Sequence, residues 1–401
     1  MRKHTAGLTL LGVLGALDLG HGFSIDGTAP QVEFHNSNFS NSALLSQYQT
    51  ELETKMNKEV SDAFDTSIAT ARKNLAGFKE QKELAQGFAN ANAYSMQSAT
   101  LQGFQNYSLF AVATGLMVGV QAPSTSFSYY SKVGDDIQKK GDLYAGLGTS
   151  VSFLNVGVNA GFIMPGLYLN AKYGGLSQDV GDFSMDFSVM GIGANYRLLD
   201  TKSLIGLVKW RGISVGTGFY MQSNKLNMKI TPDTITTQAH IRDAVLSSAS
   251  TPQETADKEA LLDQMGYTVN NPDADVKLSP TFNMGLDVTT FTIPVDVVTS
   301  GSILWGFLSA TAGLGFDMNF GSSKIVLEGE SNANISSDTT KVSFSTAKVK
   351  VDGSSDNGPS FARLRAMTGV GLGLGPVKID IPLIYYFNSG AAFGLTVAVV
   401  W

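Results

Sequence analysis

The 401-residue chain contains no cysteine, which excludes disulfide staples, thiolate metal centres and a lipid-modified cysteine anchor. Histidine is scarce: there are four, and two of them, His4 and His21, fall in a stretch that reads as a removable leader. Charged residues make up 15% of the chain, against about 25% in an ordinary soluble domain. The net charge is −6 and no basic tract occurs, so nucleic acid is not an expected partner. Long apolar runs are missing too. The longest, Leu109 to Val120, falls short of the ~18 residues a spanning helix needs and holds Thr114, Gly115 and Gly119. Glycine, by contrast, is abundant, at 43 residues.

Arg2, Lys3 and His4 give a positive start, followed by an apolar stretch from Ala6 to Leu17 that is interrupted at Asp18. With small residues at Gly20 and Gly22, residues 1–22 read as a signal peptide with a mature start at Phe23. Residues 23–106 then read as an N-terminal helical segment, a plug or a periplasmic element. Tyr48, Leu52, Met56, Val60, Phe64 and Ile68 make an apolar stripe at i+4 spacing, with Glu51 and Lys55 as an i,i+4 pair. A shorter helix is expected from Phe78 to about Ala89. Such a stripe serves equally for packing on a neighbour and for closing a barrel mouth.

From Tyr107 the period drops to 2. Ala310, Ala312, Leu314, Phe316, Met318 and Phe320 alternate with Thr311, Gly313, Gly315, Asp317 and Asn319. One face is apolar and the other small or polar, as expected where one side meets lipid and the other a lumen. A soluble antiparallel sandwich also alternates. However, the runs 182–198, 209–230 and 283–298 are long for globular strands, and the connections divide unevenly. About ten strands are expected (range 8–14), with short turns such as Thr299-Ser300-Gly301 and Gly375-Pro376 on one side. Long excursions near 121–141, 231–280 and 321–360 lie on the other. This describes an all-β fold: a transmembrane antiparallel up-and-down barrel over 107–401, both termini on the short-turn side. Phase flips at Val189/Met190 and Thr289/Thr290 are read as β-bulges.

The excursion at 231–280 carries a capping box, Thr251-Pro252-Gln253-Glu254, leading into Leu261, Leu262 and Met265 with Gly266 as C-cap. A short helix is expected before it, from His240 to Leu246. Lys341 to Val351 alternates and is expected to extend a hairpin above the membrane.

The chain closes on Phe393, Leu395, Val397, Val399 and Trp401, alternating apolar positions that end on an aromatic. This resembles the C-terminal signal that outer-membrane proteins present to the barrel assembly machinery. The resemblance implies that machinery and outer-membrane lipid as partners, with the bacterial outer membrane as location. The Ala-, Asn-, Gln- and Gly-rich residues 85–106 ahead of the first strand resemble, in organisation, the hatch of the long-chain fatty acid transporter family. The Asn-Pro-Ala motif of that family is absent, and about ten strands are fewer than it has.

No catalytic residues, metal site or cofactor are expected. Past the leader only His35 and His240 remain, neither on a barrel strand near a candidate Ser. The glycines of Gly369–Gly375 share one strand face with no helix behind them, which fits close packing inside a barrel rather than a phosphate loop. Asn270, Asn271, Asp273 and Asp275 match no EF-hand spacing. Asp317, Arg363, Arg365, Lys378 and Asp380 are placed in the lumen by alternation, as a salt-bridged filling or as a selective constriction. Two functions follow. One is an outer-membrane channel or transporter for a small or hydrophobic solute, plugged or gated by the N-terminal helices. The other is a surface structural protein or adhesin whose barrel anchors its loops for a host ligand.

Overall fold

The computed structural model describes residues 23–75, 81–100, 107–121, 146–205, 207–231, 234–279, 281–336 and 341–401. The leader expected over 1–22, and all but the first residue of the loop expected at 121–141, lie outside them. Two short strands, β1 (Phe23–Gly27) and β2 (Val32–Phe34), open the chain, followed by helices α1 (Ser42–Leu75) and α2 (Gln81–Tyr94). Then come β3 (Phe110–Gln121), β4 (Gly146–Asn159), β5 (Leu167–Val180), β6 (Phe183–Leu199), β7 (Lys202–Ile205) and β8 (Val208–Ile230). One excursion holds β9 (Ile235–Ala239), α3 (Ile241–Leu246), α4 (Pro252–Gln264) and β10 (Ala274–Ser279). The chain continues through β11 (Phe282–Ile303), β12 (Leu308–Ser336), β13 (Val342–Phe344) and β14 (Ala347–Asn357). It closes with β15 (Ala362–Leu374), β16 (Val377–Tyr386) and β17 (Gly390–Val400).

Ten strands form a closed antiparallel ring in chain order: β3, β4, β5, β6, β8, β11, β12, β15, β16 and β17, which pairs back on β3. Closure removes both free edges, which a strand in lipid cannot leave unpaired. At the base, Trp401 donates its backbone N–H to Phe110, Leu109 donates to Trp401, and the Phe110 and Trp401 rings stack at 4.4 Å. Phe393, Leu395, Val397 and Trp401 are exposed on the outer face, with Val399 half-buried in the same phase.

Five strands, β5, β6, β8, β11 and β12, rise past the barrel, and the last four change character at one height. Val189, Gln222, Thr290 and Gly321 are register partners across β6, β8, β11 and β12. On the base side of this row the outer face is apolar, with Ile192, Phe219, Val295 and Leu314 exposed, while Thr292, Asp317 and Asn319 are buried inside. Beyond it the faces swap. Lys225, Asp287, Lys324 and Glu328 point out, and Met284, Leu286, Ile325 and Leu327 are buried. The pairing runs unbroken through both expected bulge sites. The flips at Val189/Met190 and Thr289/Thr290 are therefore not bulges but a change of solvent, from apolar to aqueous outside. Between Leu308 and Phe320, at about 3.4 Å per residue and a tilt of about 40°, the apolar belt stands about 30 Å tall. That matches a bilayer core.

Turn chemistry needs one further correction. Thr299-Ser300-Gly301 lies inside β11, where its irregularity is a bulge against β8. The true base turn is Leu304-Trp305-Gly306, three consecutive residues at positive φ (52°, 56° and 92°). Gly375, also at positive φ, makes the break before Pro376 as expected.

The excursions at 231–281 and 321–361 join β1 and α1 in a head with its own hydrophobic core. Leu52, Met56, Val60 and Phe64 pack with Ile241, Leu261, Val276, Leu278, Leu327 and Val349. Thr251 caps α4, its side chain accepting from the Glu254 N–H, and Gly266 follows the helix at positive φ. β1 pairs with β14, so Phe23 lies at the head and Trp401 at the base. Of the two described ends, Trp401 lies at the short-turn end, where both termini are expected, and Phe23 at the other.

Glu51 does not pair with Lys55 along its helix but with Lys258 of α4, at 2.7 Å. Glu254 meets the same ammonium at 2.7 Å, and Ser248 accepts from it at 3.0 Å. The hydrogen bond to Lys258 holds both carboxyls below their usual range. Burial alone would lower the lysine, and the two carboxylates reverse this so that its pKa is raised. Depressed carboxyls stabilise the head above their unfolded pKa of about 4.3, and this is lost as pH falls through the folded values. The raised lysine contributes below about 10.4 and loses this as pH rises through its folded value. The thermal midpoint of the head is expected to be level between these limits and to fall on acidification below about pH 4. Lys258→Met should lower the midpoint at pH 7 and flatten the acid limb; an unchanged acid limb would remove this triad from the account.

Candidate functional site

Closing ten strands about 4.8 Å apart at a tilt of about 40° gives a radius of about 10 Å. Once the wall's own side chains are allowed for, that leaves room for one helix of about 10 Å diameter. The wall here is small-residue rich, and α2 occupies the space. A Cβ on Gly146 would lie 1.8 Å from the Gly87 carbonyl oxygen, and one on Gly148 2.4 Å from the Ala91 backbone. Helix backbone and barrel wall are in direct contact. The plug reading of the N-terminal helices thus divides: α2 lies inside the barrel, while α1 lies outside it in the head.

Polar side chains tie this helix to strands all round the ring. Gln222 donates to Asn92 Oδ1 at 2.7 Å and to Ser95 Oγ at 2.8 Å, and Asn92 donates to Thr290 Oγ1 at 2.8 Å. The Tyr94 ring stacks on Tyr386 at 3.7 Å, and its hydroxyl meets Ser389. Past the helix, Ser98 Oγ lies 2.7 Å from Ser150 Oγ, and Asn155 donates to the Ala99 carbonyl at 2.8 Å. Lys172 donates to the carbonyls of Met96 and Ser98, with its ammonium 4.2 Å from the Tyr220 ring centre. These carbonyls belong to the 3-10 turn Ser95–Gln97 that follows α2 and to the residue after it, so Lys172 closes the turn in which the luminal helix ends.

The five charged residues read from alternation all face inward. Arg365 is fully buried, 2.6 Å from Asp296 and 3.1 Å from Asp317. Gly315 leaves room for this pairing, since a Cβ there would meet Asp296 Oδ1 and Arg365 Nε. Arg363 donates to Ser360 Oγ at 2.6 Å near the head end. Lys378 donates to the Gly375 carbonyl at 2.8 Å near the base, and Asp380 is buried at 1% exposure. The charges are thus one tight cluster at mid-height and separate groups at each end. Asp296, Lys172, Asn155 and Gln222 escaped the sequence reading. The signal for Asp296 was present, since it shares the phase of Thr292 on β11. No sequence signal marks Lys172 as a helix cap. Below the plug, a cavity of about 40 Å³ is lined by Ala99, Tyr107, Asn155, Asn170 and Asn195, among others. Several buried polar atoms around the lumen, including Asn155 Oδ1, Asn224 Oδ1 and Arg365 Nη1, have no hydrogen-bond partner. Single enclosed waters are the usual partners of such buried atoms.

In the head, His35 Nε2 lies 3.0 Å from Ser343 Oγ on the exposed β2–β13 ribbon. His240 Nδ1 lies 3.1 Å from Asp273. Among the described residues no three His, Asp or Glu gather in a metal-ligand group.

A closed ten-stranded ring with an apolar outer belt, a polar lumen and an internal helix defines a transmembrane-type β-barrel. The chain belongs to the Lsa36-like family, whose model matches residues 38–401. No match to the fatty acid transporter family was found. No curated protein matches the chain. Among solved structures, the translocator domain of the autotransporter NalP from Neisseria meningitidis aligns at 12% identity and TM-score 0.28, covering 74% of this chain and 90% of that one. The toluene transporter TodX of P. putida aligns at 8% identity and TM-score 0.21, covering 74% and 91%. Pseudomonas putida OprB aligns at 6% and 0.16, covering 74% and 94%. At such scores the barrel assignment rests on the strand ring of this chain itself.

Proposed function

We propose that this protein is a non-enzymatic outer-membrane anchor whose sealed barrel displays the head outside the cell, available to a host surface ligand. The observation that carries this reading is the division of labour along the chain. The N-terminal segment and two long excursions fold together into one core beyond the apolar belt, while α2 fills the passage beneath them. An ordered head is a better binding surface than independent loops, because less conformational entropy is lost on contact. Outer-membrane lipid meets the apolar belt, and the barrel assembly machinery reads the closing strand.

A second reading is a gated channel for a small solute. The polar, incompletely satisfied lumen favours it, since a helix held there by hydrogen bonds can be exchanged for water at lower cost than an apolar plug. The absence of native cysteine makes the test direct. Ser98→Cys with Ser150→Cys places two thiols where hydroxyls now sit 2.7 Å apart. In planar bilayers the sealed-anchor reading expects no steady conductance, oxidised or reduced, and conductance only after deletion of residues 81–100. Conductance that appears on reduction and vanishes on oxidation would replace the anchor by the channel. Steady conductance through the oxidised protein would show that the helix does not close the lumen at all.

A further inference from the structure

We infer that this barrel conducts its own N-terminal segment across the membrane as unfolded chain, and that an unstructured polypeptide joined ahead of residue 23 is carried with it. The inference rests on the reading that the barrel spans a membrane. It follows from a path that runs one way. α1 lies in the head core. Gly87 then lies against Gly146, Ala91 against Gly148, Ser98 beside Ser150, and Tyr107 against Gly157. Along β4 these partners descend from the head end to the base. There β3 begins, hydrogen-bonded to the C-terminal residue. The described residues between head and first strand, 81–100 and Tyr107, therefore lie along the lumen, and the head and the barrel's own ends lie on opposite sides of the apolar belt.

The two long excursions are tethered to the wall at both ends and can cross as hairpins while it assembles. Residues 23–75 are joined to the wall only through the luminal segment. Their route to the head is the lumen. A passage that holds one helix does not admit a folded head. The head also has no reason to fold early, because Leu52, Met56, Val60 and Phe64 are buried in a core that residues of β9, α3, β10, β12 and β14 complete. Before those elements arrive, the apolar stripe of α1 has nothing to bury against, and it is such packing that supplies most of a helix's stability in a protein. Arrival builds the core, which prevents return. α2 is then the part of the exported segment that remains in the passage, held by Lys172 and the Gln222–Asn92 bonds.

The test fuses two passengers ahead of residue 23 of the full chain, behind an export signal. One is a Gly/Ser-rich linear segment carrying a single cysteine. The other is the same segment followed by a small domain that closes two disulfides before it reaches the barrel. A membrane-impermeant maleimide or added protease on intact cells reads exposure, and heat-modifiable mobility of the same band reads whether the barrel has closed. Expected is a shifted band with the linear passenger exposed, and loss of exposure for the disulfide-closed passenger, restored when reductant is present during synthesis. A shifted band with the linear passenger protected, or with both passengers equally exposed, overturns the inference and leaves the spanning barrel standing. Absence of the mobility shift in the unfused protein overturns the spanning reading and the inference with it. Thr50→Cys in α1 and Ser203→Cys at the base, both exposed, serve as controls for the two sides. Only the first should react in intact cells.

Discussion

Arg365→Ala is expected to destabilise the folded barrel by about 3–5 kcal/mol, the usual cost of removing one partner from a buried ion pair. The guanidinium is fully buried and sits between Asp296 on β11 and Asp317 on β12, itself on β15. It thus sets one positive charge between two acidic groups at one height of the wall. Without it, two like charges share a low-dielectric site beside Tyr386. The neutral replacement Arg365→Met with Asp296→Asn and Asp317→Asn should recover most of the loss, because desolvation of all three charges is then no longer required. Urea unfolding in lipid vesicles, followed by the heat-modifiable band, measures both variants. A single substitution that costs under about 1 kcal/mol, the range of a solvated pair, would mean that water reaches the cluster freely and that the plug does not exclude solvent there.

Leu314→Arg and Val326→Arg should differ sharply although both lie on the outer face of β12. Leu314 is 63% exposed and lies midway along the apolar belt. An arginine there is expected to cost about 2–4 kcal/mol, as at a bilayer midplane. Val326 lies beyond Gly321 on a face shared with Lys324 and Glu328. Its arginine meets water and should be within about 0.5 kcal/mol of neutral, as for ordinary surface changes. The pair is compared by unfolding free energy in vesicles. Equal costs would place the membrane boundary elsewhere than the row from Val189 to Gly321.

These two predictions draw on different depths of reading. Asp317 and Arg365 were already visible as lumen-facing, because alternation puts every second residue on one side regardless of what lies there. Their pairing with Asp296 was not visible. β11 and β15 are neighbours of β12 on opposite sides, and only the closed ring and a glycine at 315 bring the three side chains together. The phase flips stand out in the sequence at the right residues, but their cause does not. A flip in one strand is what a bulge looks like; four flips in register are what a membrane surface looks like, and register is a property of the assembled sheet. Likewise the stripe Tyr48 to Ile68 announced a helix with a buried face. Its partners in the excursions lie about 170 residues or more away, and Lys258, which takes Glu51 from the local pairing with Lys55, lies farther still.

The class of wall is legible in the sequence alone: about ten alternating strands, an apolar outer face, an aromatic closing residue, and long connections on one side. Period-2 alternation, turn residues and helix caps are short-range properties, set within a few residues of one another by backbone geometry. The tertiary structure alone decided which helix enters the lumen, that two excursions and the N-terminus form one head, and that the two described ends of the chain lie on opposite sides of the belt. Those outcomes depend on the free space left by a ten-stranded ring and on burial between segments far apart in the chain, quantities that no local window of residues contains.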